Sequence, residues 1–138
     1  MSVPKSKRKP STYDIADLAQ RITESVYSMY NKVFKFSPIM AHDCLGRVVE
    51  ESQRLLDNVT RYLEGFSGPW YKKFYVETSI DAANGLEVLI EDFMRHENSL
   101  IYICSDGKMR GVTKNELIQL SEYIERFMDA IQRVEVYP

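Results

Sequence analysis

Between Thr113 and Val134, the apolar residues Leu117, Leu120, Ile124, Phe127, Ile131 and Val134 recur in alternating steps of three and four. That spacing puts all six on one stripe of an α-helix. Ile118 and Met128 widen the stripe, as a helix wedged between two neighbours requires. Thr113 followed by Glu116 is a capping-box pattern, in which hydroxyl and carboxylate satisfy amides of the first turn. Such a helix, roughly 33 Å long, cannot bury its own stripe. The chain has to supply partners of similar length.

It supplies three. Ser11 with Asp14 opens a helix that runs to about Lys35, with Ile15, Leu18, Ile22, Val26, Met29 and Val33 as its apolar stripe. Phe36-Ser37-Pro38 breaks it, because the residue before a proline is pushed out of the α region. Ser37 as N-cap and Pro38 at the first helical position start a second helix reaching about Leu63. Its stripe is Leu45, Val48, Leu55, Val59 and Tyr62, with Val49, Leu56 and Leu63 beside them. Ser52 falls on that stripe and is expected to bond back to a carbonyl of the preceding turn.

Gly65, Gly68 and Pro69 punctuate the chain before a third helix. Phe74, Ala82, Leu86, Leu89 and Phe93 are expected on its buried face, with Ile80, Ala83 and Ile90 nearby, and Gly85 is expected to mark a close approach to another backbone. Residues 98–112 read differently: Leu100-Ile101-Tyr102-Ile103 and the Asp106-Gly107 turn signal predict a long loop or a short β-hairpin. Four amphipathic helices with short first and second connections predict an all-α, up-down-up-down four-helix bundle. The domain plan is a flexible basic arm over 1–10, the bundle over 11–134 and a short tail over 135–138.

Charge bears on what such a bundle can bind. The formal net charge is −2, but Lys5, Lys7, Arg8 and Lys9 all fall in the first ten residues. The rest of the chain carries 14 basic and 20 acidic side chains. An acidic body disfavours nonspecific nucleic-acid binding by the body as a whole and leaves room for local basic faces. No apolar run is long enough to span a bilayer, and residues 1–10 have no signal-like apolar stretch, so a cytoplasmic location is expected. In that reducing compartment Cys44 and Cys104 are expected as thiols.

Chemistry-bearing patterns are sparse. His42, Cys44, His96 and Cys104 have the wrong spacing for a compact zinc site. Glu87, Glu91, Asp92, Glu122, Glu125 and Asp129 lack the Glu-x-x-His pairs of carboxylate-bridged metal sites and read as a solvated face. There is no Gly-rich phosphate loop, no Gly-x-Ser-x-Gly elbow and no Cys-x-x-Cys. The expectation is a protein that is not an enzyme, with no cofactor and no metal.

One pattern remains. Arg47, Arg54 and Arg61 are spaced by seven and drift only about 20° per step along one ridge of the second helix. Lys72 and Lys73 follow just after the next turn, and Lys32 and Lys35 close the first helix. A basic ridge with tyrosines alongside is able to follow an RNA or DNA backbone. The competing explanation is ion pairing with Glu50, Glu51, Asp57 and Glu64. Glu50 to Arg54 and Asp57 to Arg61 are i,i+4 pairs in the favourable order.

Three stretches together resemble a known family. VYSMYNKVFKFSP over Val26 to Pro38 resembles a tyrosine-containing first helix closing on a Phe-Pro-type break. FYVETSIDAANGLEVLIEDFM over Phe74 to Met94 resembles a third helix in which small residues precede a leucine-rich stripe. Val112 to Arg133 resembles the capped, regular last helix. The likeness is to the small four-helix-bundle proteins that include those encoded in ribosomal RNA intervening sequences and the accessory variability determinants of diversity-generating retroelements. It covers residues 11–134. The break here carries an extra serine, and Asp129-Ala130-Ile131 stands where that family has a Gly-Gly-Trp type ending. The resemblance implies a noncatalytic homo-oligomer, a pentameric barrel, that binds a reverse transcriptase and RNA or DNA and supports mutagenic cDNA synthesis. The alternative is a protein-interaction bundle with no nucleic-acid role.

Overall fold

The computed structural model describes residues 12–64, 69–95 and 114–134. Among them it has four helices and no strand: α1 Thr12–Phe34, α2 Pro38–Glu64, α3 Pro69–Arg95 and α4 Lys114–Gln132. The arm over 1–10, the loop or hairpin expected over 98–112 and the tail over 135–138 lie outside the described residues.

The helices stand in a ring. α2 packs on α1 and α3, and α4 closes the ring against α3 and α1. Neighbours run antiparallel. The Glu51 side chain fills the space beside Gly85, where a neighbouring backbone was expected, and Arg54, one turn further along α2, reaches back to Asp81. This is the arrangement of a four-helix bundle, with its core on the ring axis.

The boundary between α1 and α2 is set locally. The Val33 carbonyl accepts the amides of both Phe36 and Ser37, at 2.9 and 3.0 Å, which ends α1. The Ser37 hydroxyl then accepts the Met40 amide at 3.2 Å, the N-cap bond that starts α2. Pro38 follows, where its missing N–H costs nothing.

The core is formed by one stripe from each helix. α1 contributes Ile15, Ala19, Ile22, Val26, Met29 and Val33, and α2 contributes Ala41, Leu45, Val48, Leu55 and Val59. α4 contributes Leu117, Leu120, Ile124, Phe127, Ala130 and Ile131. Met128 packs on this core as expected, but Ile118 is exposed on the far side of its helix. Ala82, Leu86 and Phe93 of the predicted α3 face are buried, and so are Ala83 and Ile90 beside it. Val76, Ser79, Ala83, Leu86, Ile90 and Phe93 recur in threes and fours and are buried, whereas Phe74 is 46% exposed and Leu89 half buried. Phe74 precedes Val76 by two, which on a helix is more than half a turn away.

Buried polar groups are satisfied within their own turns. Ser52 donates to the Val49 carbonyl at 2.8 Å, the expected back-bond. Ser79 donates to the Tyr75 carbonyl at 2.7 Å, and Thr23 to that of Ala19 at 2.9 Å. Cys44 is half buried and disulfide-bonded, not the thiol expected from the compartment argument. The other cysteine of the chain, Cys104, lies outside the described residues. No helix is long and apolar enough to cross a membrane, among the described residues.

Candidate functional site

The outward side of α2 keeps Arg47, Arg54 and Arg61 together in the open, as the seven-residue spacing predicts. It does not make them a basic ridge. Asp43, Glu50, Asp57 and Glu64 lie on the same exposed side, so the sign of charge alternates along its whole length. The pairs Glu50–Arg54 and Asp57–Arg61 are not formed. Arg54 instead donates to Asp81 of α3 at 2.8 Å and to Glu51 at 3.4 Å. The Asp81 hydrogen bond raises the Arg54 pKa further above its ordinary value, against a smaller opposing effect of burial. Arg47 and Arg61 have no ion-pair partner among the described residues.

The other sequence-predicted cations divide. Lys32 is committed to a bridge between helices, 2.5 Å from the Glu116 carboxylate of α4. Lys35 is exposed at the α1–α2 turn, in sequence between Phe34 and Phe36, which are 46% and 54% exposed. Lys72 and Lys73 are exposed in the first turn of α3 and have no ion-pair partner among the described residues. They are flanked by Tyr71 and Phe74, 42% and 46% exposed. The Phe74 and Tyr75 rings meet edge-on, with centroids 5.4 Å apart. Arg61 occupies the last turn of α2. Only four residues separate α2 from α3, which holds the two helix ends within roughly 18 Å. The α2–α3 end of the bundle thus gathers three of the seven expected cations and two part-exposed aromatic side chains, bordered by Glu64 and Glu77.

Phe74 is the part that sequence reasoning missed, having been counted into the core. The available signal was the Val76–Phe93 register. It was masked by Ser79, a polar residue on the stripe whose hydroxyl bonds its own helix. Among the polar features elsewhere, an open groove of about 680 Å³ runs along α1, lined in part by Gln20, Tyr27, Ser28, Asn31 and Lys35. The Tyr27 hydroxyl there accepts a hydrogen bond from Gln53 of α2. No three His, Cys, Asp or Glu side chains converge as a metal site does, among the described residues. Comparison with protein-family models, with curated proteins and with solved structures finds no match to this chain.

Proposed function

We propose that this chain is a noncatalytic accessory protein that holds single-stranded nucleic acid at the α2–α3 end of its bundle. The observation that supports it is the run of exposed Tyr71, Lys72, Lys73 and Phe74 at the start of α3. Cations attract the phosphate backbone, and exposed rings offer faces on which unpaired bases stack. This combination suits an unpaired strand better than a duplex, whose bases are already stacked. The family resemblance extends the proposal to the template RNA of a reverse transcriptase and to self-assembly in the manner of a pentamer.

A filter-binding titration against single-stranded RNA at two salt concentrations tests it. Lys72→Gln with Lys73→Gln should weaken binding and flatten the log–log salt dependence by about 0.7 per lost phosphate contact. Tyr71→Ala with Phe74→Ala should weaken binding by about 1–3 kcal/mol per lost base stack while leaving the salt slope unchanged. Arg47→Gln should have little effect, since acids flank Arg47 on its exposed face. Equal affinities and slopes for all of these proteins would remove nucleic acid from the function.

A second reading is favoured by the opposite end of α2. Phe34, Phe36 and Ile39, the last 74% exposed, cluster in sequence about the α1–α2 turn. Exposed apolar groups of this size suit a protein partner. Phe36→Ser with Ile39→Ser should then abolish co-purification of that partner while leaving RNA binding intact.

A further inference from the structure

The outward side of α2 reads Asp43, Arg47, Glu50, Arg54, Asp57, Arg61, Glu64: negative and positive in strict alternation over about 33 Å of helix. All seven side chains are exposed. Alternation at this spacing serves either of two ends. It ties each charge to its neighbour one turn away, or it presents an ordered row of charges to something outside. The geometry favours the second. Of the seven, among the described residues, only Arg54 is engaged with another helix or with an acid one turn away, and it uses Glu51 and Asp81, neither of them in the row. Among the described residues Asp43 has His42 beside it, at 3.5 Å, an attraction present when that imidazole is protonated. Arg47, Glu50, Asp57, Arg61 and Glu64 have no ion-pair partner among the described residues.

From Asp43 to Arg61 the row has a further property: it is complementary to itself reversed. A twofold axis at the level of Ser52 would lay α2 antiparallel to α2 of a second copy. Asp43 then meets Arg61 of the partner subunit, Arg47 meets the partner's Asp57, and Glu50 meets the partner's Arg54. Symmetry repeats each pairing. Each of the six junctions joins opposite charges; a shift of one turn in either direction brings like charges together, and a shift of two turns, setting Arg47 against the partner's Glu64, makes them opposite again. Gly46, on the flank of the same helix, leaves open space where a side chain would stand. We infer that the exposed face of α2 is an isologous docking surface for a second copy of this chain, held antiparallel by the alternating charges. The surface differs from the α3 patch proposed for nucleic acid and does not depend on it. Because the pairs are exposed, the association is weak and salt-sensitive. A fivefold ring joins unlike surfaces, so this self-complementary row serves a twofold contact in place of the ring contact or in addition to it.

Two charge-swapped proteins test the inference. The first carries Asp43→Lys and Asp57→Lys, the second Arg47→Glu and Arg61→Glu. In either variant alone, four of the six junctions become like-charged. In a mixture of the two, all six are opposite again. Sedimentation equilibrium at low salt should show a concentration-dependent dimer for the unaltered chain, dissociating as salt is raised. Each variant alone should be shifted at least tenfold toward the monomer, and an equimolar mixture should regain the dimer. Circular dichroism confirms that both variants keep their helices, as exposed positions allow. A strictly monomeric unaltered chain at low salt would overturn the inference and leave the row a solvated face. Dimers or larger assemblies that persist unchanged in both variants would overturn it as well, and place the self-contact elsewhere.

Discussion

A methyl group on residue 85 would come within 3.3 Å of the Glu51 Oε2 atom, so the carboxylate of α2 rests on the one bare backbone position of α3. From there it receives Arg54, which also reaches Asp81 and so ties the two helices together. Gly85→Ala sets two effects against each other. Alanine gains about 1 kcal/mol of helix propensity, and the obstacle is the far end of a flexible side chain. Urea denaturation should therefore show Gly85→Ala stabilised by about 0.5 kcal/mol. Gly85→Leu should displace Glu51 and be destabilised; equal stability of the leucine variant would show that the close approach carries no constraint.

Leu120 and Phe127 are both fully buried on the α4 stripe. Leu120→Asp or Phe127→Asp places an unpaired charge in the core, at a cost of several kcal/mol. Either variant should lose its cooperative thermal transition. Helicity and melting temperature like those of the unaltered chain would show that the stripe does not hold the bundle together.

Those α4 positions were legible because the helix alternates apolar and polar residues cleanly. The stripe of α2 was legible for the same reason, and its Ser52 back-bond followed from a polar residue on an apolar stripe. α3 was legible only in part. Ile80, Val88, Leu89 and Phe74 spread apolar character around that helix, so periodicity placed Ala82, Leu86 and Phe93 inward correctly but set Phe74 and Leu89 too deep. Only the packing against α2 and α4 decides which side is inward. The arginine ridge failed differently. Spacing placed the three arginines together correctly, but the charge of a face depends on every residue that shares it, including Asp43, Glu50 and Asp57.

Burial raises the Tyr62 pKa from its ordinary value of 10.0. The neutral phenol is favoured in the folded protein, so the unfolded chain loses its proton first as pH rises. Stability from this group is fully present below about pH 10 and is lost as pH climbs through the folded-state value. Urea midpoints measured from pH 8 upward should fall in that alkaline window. Tyr62→Phe should remove part of the decline; an identical pH profile would show that Tyr62 does not contribute.

Cys44 is disulfide-bonded. A maleimide reagent should therefore leave Cys44 unlabelled in the native protein purified without reductant, and label it once dithiothreitol is added. Cys44→Ser should cost about 2–4 kcal/mol, the usual contribution of a native bridge. Full labelling in unreduced protein, with no loss of stability in the serine variant, would show a free thiol.

The ring of antiparallel helices also bears on how fast the protein forms. α1 packs on α2 and α2 on α3, so much of the core joins segments adjacent in sequence. The capped turn at Ser37 lets the first pair meet after closing only a short loop. Just one contact, between α1 and α4, spans nearly the whole chain, and the Lys32–Glu116 bridge belongs to it. Local topologies of this kind fold on the microsecond-to-millisecond scale. In a stopped-flow experiment, weakening the Lys32–Glu116 bridge should speed unfolding, and weakening the α1–α2 hairpin should slow folding.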